Sequence, residues 1–65
     1  MGKNLTSRDV IKIIEKDGWY YHTTVGSHRH YKHPTKKGKV TVKYPAKSFP
    51  PKTIRNMEKQ SGLIF

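Results

Sequence analysis

The sequence predicts an α+β fold: one helix, three antiparallel strands and a second helix, with both helices packed on one face of the sheet. Three observations predict it. An apolar stripe at helical spacing, Val10, Ile11, Ile13 and Ile14, lies between a capping pattern and a glycine. Runs rich in β-branched and aromatic residues follow, broken by Gly26-Ser27 and by Thr35-Lys36-Lys37-Gly38. A further helical segment then starts beyond a proline-rich link and stops at Gly62. Two helices cover only one side of a three-stranded sheet, so the other side is free for a ligand.

The first helix is expected over Leu5 to Asp17. Thr6 can cap its first turn, with Asp9 three residues on as the returning acid, and Leu5 can staple onto Val10. Arg8, Lys12, Glu15 and Lys16 fall on the wet side, and Gly18 supplies the left-handed stop. Trp19 to Val25 is the first strand. Strict alternation puts Trp19, Tyr21, Thr23 and Val25 on one face and Tyr20, His22 and Thr24 on the other. Gly26-Ser27 makes a tight turn into a second strand, His28 to His33, ended by Pro34. There Arg29, Tyr31 and His33 share one side, and His28, His30 and Lys32 the other. Lys39 to Lys43 is the clearest strand, with Val40 and Val42 facing in. Residues 44 to 51 are irregular and hold three of the four prolines. The second helix runs from Thr53 to Ser61, with Ile54 and Met57 inward. The open sheet face then carries His28, His30, Lys32, Lys39, Thr41 and Lys43.

A chain of 65 residues reads as one domain over residues 1–65. At this size about 60% of the unfolded surface is buried, too little for a deep enclosed active site. Fourteen Lys and Arg stand against four Asp and Glu, a formal charge of +10. The acids are Asp9, Glu15, Asp17 and Glu58, so Gly18 to Met57 contains no carboxylate. A one-sign span of this length suits a polyanion, since each neutralised phosphate releases counterions. With no cysteine, disulfides and thiolate metal sites are excluded and a cytoplasmic setting is expected. No apolar run fits a signal peptide or a membrane span. Met1 to Thr6 fits a loose myristoylation pattern, which short sequences match by chance, and an ordinary terminus is the expectation.

Three of the four histidines lie between Gly26 and Pro34, and three chemistries are open to them. A metal site could use His28 and His30 with His22 or His33, but no acid lies nearby and dense Lys and Arg repel a cation. The imidazoles can instead contact nucleic acid without chemistry, the first choice on composition alone. Or one of them does acid–base work on RNA. An imidazole near its ordinary pKa of about 6.5 can take a proton from the 2′-hydroxyl or give one to the leaving oxygen. Lysines and Arg29 would then balance charge on the phosphoryl oxygens, and Ser27 could add a hydrogen bond. A Ser-His-Asp hydrolase is poorly supported, because neighbours on a strand point apart and no Asp is placed to orient His28.

Asp17-Gly18-Trp19, Gly26-Ser27-His28, Tyr31-Lys32-His33-Pro34, Val40-Thr41-Val42 and Thr53-x3-Met57-x-Lys59-Gln60-Ser61-Gly62-Leu63 occur in that order over nearly the whole chain. With these segments the chain resembles the HicA toxins of bacterial and phage toxin–antitoxin modules. The resemblance implies a double-stranded-RNA-binding-domain-like fold, α-β-β-β-α, and a messenger-RNA interferase that cleaves RNA and stops translation. Gly26-Ser27-His28 beside a carboxylate-free basic field leads us to expect a metal-independent reaction with no cofactor. The resemblance also implies a HicB-like antitoxin as partner and contact with DNA only through that antitoxin. A membrane is not expected, because no segment is both strongly amphipathic and basic. The resemblance places the catalytic histidine directly after Gly-Ser, at His28. Many relatives carry a second histidine at the next position, where this chain has Arg29 and then His30. The expected RNA face is Ser27, Arg29, His30, Lys32, Lys39 and Lys43, with Gly26 turning the site into place. His33, in the His-Pro ending, is assigned to packing. The second acid–base group is left among His30, Tyr20 and water. A non-catalytic RNA-binding domain and a module for an acidic protein partner are the alternatives on the same fold.

Overall fold

The computed structural model describes residues 5–65, so the loose lipidation pattern that begins at Met1 lies outside the described residues. The element order is α1 (Ser7–Lys16), β1 (Tyr20–Val25), β2 (His28–Lys32), β3 (Val40–Lys43) and α2 (Pro51–Ser61). The strands form one antiparallel sheet in the order β1-β2-β3. This is the α+β architecture expected from the sequence.

The first helix starts as its caps dictate. Asp9 N–H donates to Thr6 Oγ1 at 3.2 Å, and Thr6 N–H donates to Asp9 Oδ2 at 2.9 Å. Two otherwise orphaned donors are thereby satisfied reciprocally. Val10 and Ile14 are fully buried and Ile11 nearly so, while Arg8, Lys12, Glu15 and Lys16 are exposed. They pack with Trp19, Tyr31, Val40, Val42 and Met57 in one cluster, and Leu5, Ile54, Leu63 and Phe65 close its margins. Full burial of an aliphatic side chain is worth about 1.5–3 kcal/mol. In so small a chain that cluster, fed by both helices and by β2 and β3, is the main source of stability.

The polypeptide between β3 and α2 is irregular but not loose. Ser7 N–H donates to the Ala46 carbonyl at 2.9 Å, and Ala46 N–H donates to Ser7 Oγ at 3.0 Å. This pair pins the link to the start of α1. The second helix begins two residues before the expected Thr53, with Pro51 at its first position and Gly62 at φ +74 ending it. A proline fits there because the first helical N–H has no partner in any case.

In β1 the expected alternation fails after Tyr21. Tyr21 pairs with Tyr31, but Thr23 pairs with His30, so the register shifts at His22. One extra residue flips everything beyond it. Thr23 and Val25 therefore share the open face with His30 and His28, and Thr24 returns to the side of Tyr21. The 2.7 Å hydrogen bond between Tyr21 OH and Thr24 Oγ1 reflects that return.

Candidate nucleic-acid interface

The Gly26-Ser27 turn joins Val25 to its partner His28 through two residues. Gly26 takes φ +61 and Ser27 does not have positive φ, the pattern of a II′ hairpin turn. Ser27 carbonyl oxygen accepts Tyr44 N–H at 2.7 Å, so the turn is tied to the end of β3. His28 is thus fixed at the head of β2 by backbone on both sides, and its side chain is exposed.

Cross-strand pairing defines what surrounds it. His28 pairs with Lys43 and His30 with Thr41, while Arg29 pairs with Val42 and Tyr31 with Val40. Tyr31, Val40 and Val42 are buried under the helices. His28, His30, Thr41 and Lys43 therefore occupy the opposite, open face, as the alternation predicts. Lys39 stands just before Thr41 and is exposed, and exposed Lys32 pairs with Tyr20 at the far end of β2. Ser27 is exposed in the turn itself.

Arg29 departs from the expected RNA face. It lies on the helix side, half-buried, with its guanidinium carbon 3.8 Å from the centre of the Tyr44 ring and 5.8 Å from that of Tyr21. The strand's period of two forces this, because His28 faces out and its neighbour cannot. Arg29 belongs with the packing.

His30 is half-buried, and its Nδ1 is 3.1 Å from Thr41 Oγ1. Partial desolvation holds its pKa below the ordinary histidine value, and the neighbouring positive groups Lys39, His28 and His22 add to that. Its neutral form is thus favoured close beside His28. Among the described residues no set of three His, Cys, Asp or Glu side chains is grouped to hold a metal ion.

His33 stands apart from the other two histidines of the cluster. Its Nε2 donates to the Asp17 carbonyl at 2.8 Å, and its Nδ1 accepts the N–H groups of Thr35 and Lys36, each at 3.1 Å. Its ring meets Trp19 edge-on at 5.1 Å. Lys36 Nζ lies 2.6 Å from Asp17 Oδ2 and donates to the Ser61 carbonyl at 3.1 Å. It joins the ends of both helices, where a cation also meets the negative ends of their dipoles.

A feature absent from the sequence-based site is a groove of about 640 Å3 between β3 and α2. His28, Thr41 and Lys43 form one wall, and Thr53, Asn56 and Gln60 of α2 form the other. Gln60 Oε1 accepts the outward N–H of Thr41 at 3.0 Å and so covers the free edge of β3. None of the residues lining the groove is acidic. The only sequence signal for it is the polar spacing Thr53, Asn56, Gln60 beside buried Met57, which marks a helix face next to the core but not what it looks onto.

Such an arrangement defines a small basic α+β protein whose open sheet face is headed by an exposed histidine and carries lysines without carboxylates. A family model described as the HicA toxin of bacterial toxin-antitoxin matches residues 7–63. The match spans all five elements, and the chain belongs to the HicA toxin family. It is accordingly a toxin of the toxin–antitoxin kind. No match was found among curated proteins. Among the described residues no helix is long and apolar enough to cross a membrane.

Proposed function

We propose that this chain is a metal-independent endoribonuclease of the cytoplasm that cuts messenger RNA, with His28 as general acid or base, and is held inactive by a HicB-like antitoxin. The observation that carries the proposal is the position of His28: exposed at a strand head, paired with Lys43, on the rim of a groove without carboxylates. Membership of the HicA family supports it.

The chemistry needs little more than this. The 2′-hydroxyl loses its proton and its oxygen attacks the adjacent phosphorus. A P–O2′ bond forms, the P–O5′ bond breaks, and the departing 5′-oxygen takes a proton. The products are a 2′,3′-cyclic phosphate and a 5′-hydroxyl end. An imidazole serves either proton transfer near neutral pH, an effect worth about 10²–10⁴-fold. Lys43 lies where it can offset charge growing on the phosphoryl oxygens. The dependence on a 2′-hydroxyl confines the reaction to RNA.

The test is expression of the wild-type and His28→Ala chains without antitoxin, with RNA integrity and end chemistry followed over time. The wild type should arrest growth and leave cyclic-phosphate ends. His28→Ala should fold, bind the antitoxin and leave RNA intact. Cleavage at the wild-type rate by His28→Ala sinks the assignment, and growth arrest without cleavage points to plain RNA binding. Activity that is abolished by a chelator and restored by zinc or magnesium overturns the metal-independent mechanism.

A further inference from the structure

We propose that the groove between β3 and α2 receives one unpaired nucleotide beside the bond acted on by His28, and that Asn56 and Gln60 read its base. The inference rests on the RNA-cleaving reading above and names the form of RNA that it requires.

The two walls differ in chemistry. Lys43 and Lys47 supply positive charge along the sheet side and the link, where a phosphate backbone would run. On α2 the lining side chains are neutral amides and a hydroxyl, Asn56, Gln60 and Thr53. Positions 53, 56 and 60 lie on one face of a helix. Amides carry paired donors and acceptors, the equipment for base edges, whereas phosphates are met chiefly by cations.

Gln60 is oriented for this. A backbone N–H can be accepted only by the amide oxygen, so the bond from Thr41 fixes Oε1 and leaves the two donors of Nε2 without a partner among the described residues. The Asn56 amide makes no hydrogen bond to another described residue. Phe49 also lines the groove, offering a ring on which a base can stack. In an A-form duplex the Watson–Crick edges are paired and the major groove is too deep and narrow to read. A base whose Watson–Crick edge meets these amides must therefore come from a single strand. The groove's volume falls within the range of about 300–1,000 Å3 typical of small-ligand sites. His28 on the opposite wall then sets the register between the base that is read and the bond that is cut.

The experiment uses the His28→Ala protein, so that bound RNA persists. Short single-stranded oligoribonucleotides and a blunt RNA duplex are titrated against it while the side-chain amide signals of Asn56 and Gln60 are followed by NMR. Single strands should shift both signals and the duplex should not. In parallel, Asn56→Ala in the otherwise wild-type protein should redistribute the cut sites on a mixed RNA pool. It should raise KM about 3–10-fold, the worth of one hydrogen bond, with a smaller change in kcat. Unmoved amide signals, an equal response to duplex, or an unaltered cut-site map with unaltered KM overturns the inference. Cleavage by wild type with silent groove amides rejects the groove and leaves the ribonuclease standing. Groove amides that respond to single strands, in a protein that never cleaves, support the groove and reject the ribonuclease.

Discussion

His33 Nε2 donates to the backbone carbonyl of Asp17 at 2.8 Å, joining the end of β2 to the end of α1. The contact accounts for a nearby constraint. Gly18 has φ +109, and a Cβ at that position would stand 2.9 Å from His33 Nε2. Glycine is thus required twice over, by its left-handed backbone and by the imidazole above it. Histidines 28 and 33 are five residues apart in one segment yet meet different surroundings, the open sheet face at one end and a helix terminus at the other.

His33→Ala should therefore lower stability by about 2–3 kcal/mol, since it strands the Asp17 carbonyl and the N–H groups of Thr35 and Lys36 and opens space beside Trp19. His28→Ala, at an exposed position, should stay within about 0.5 kcal/mol of wild type. Urea unfolding of the two proteins measures both. Equal losses would place His28 in the packing and weaken its assignment to chemistry.

The Asp17–Lys36 pair should shape the acid side of the stability curve. The Asp17 carboxyl is held below its ordinary range, chiefly by the hydrogen bond from Lys36. The buried Trp19 Nε1 favours the charged carboxylate too, from outside hydrogen-bond geometry. A carboxyl whose folded pKa lies below its unfolded value, about 3.9, adds stability above that pH. The contribution disappears as pH falls through the folded value. Lys36→Met should reduce stability near neutrality and flatten the decline below about pH 4. Asp9, lowered by its bonds to Thr6, leaves part of the decline in place. Parallel urea midpoint curves for wild type and variant would show that Lys36 is not the source.

Sequence sufficed where the determinants are local. The Thr6–Asp9 box, the stop at Gly18, the Gly26-Ser27 turn and the inward valines of β3 each depend on residues a few positions apart. The place of His28 on the open face is likewise legible from its turn and strand, whereas its catalytic role is only what the family resemblance implies. What escaped depends on contacts between distant segments. Nothing in Tyr21-His22-Thr23 announces a bulge, because it is decided by how β1 meets β2. In sequence Lys36 is only part of the break before β3, since its partners Asp17 and Ser61 are 19 and 25 residues away. Asn56 and Gln60 were legible as a polar stripe, but only the docking of α2 against the β3 edge turns that stripe toward His28.

His30 should titrate below the ordinary histidine range of about 6.5. The first cause is partial desolvation, and the rest is Lys39, His28 and His22. Because the folded pKa is depressed, the unfolded chain takes its proton first as pH falls. The fold should lose stability from about pH 6.5 downward, and the loss is complete once His30 is protonated in the folded state as well. An NMR titration of the His30 ring gives its midpoint directly. Lys39→Met should raise that midpoint only partway, since the burial remains. A midpoint at or above 6.5, the ordinary value, in the wild-type chain would contradict the assigned environment.

Arg29 and Lys43 make the sharpest pair, because both are basic and both were assigned to RNA from the sequence. Arg29 is half-buried against Tyr44 at 3.8 Å on the helix side, and Lys43 is exposed opposite His28 on the open side. Arg29→Ala should cost about 1–2 kcal/mol of stability through lost stacking and lost cover from its stem. Arg29→Lys should recover little, because a compact ammonium does not reproduce the planar stack. Neither change should alter the salt dependence of RNA binding. Lys43→Ala should leave stability within about 0.5 kcal/mol of wild type. It should flatten the slope of log K against log salt by about 0.7, the share of one phosphate contact on a single strand. Binding isotherms across a salt series on a His28→Ala background, beside urea unfolding, read both quantities. A slope change for Arg29→Ala as large as that for Lys43→Ala would return Arg29 to the RNA face and require the guanidinium to leave the Tyr44 ring when RNA binds.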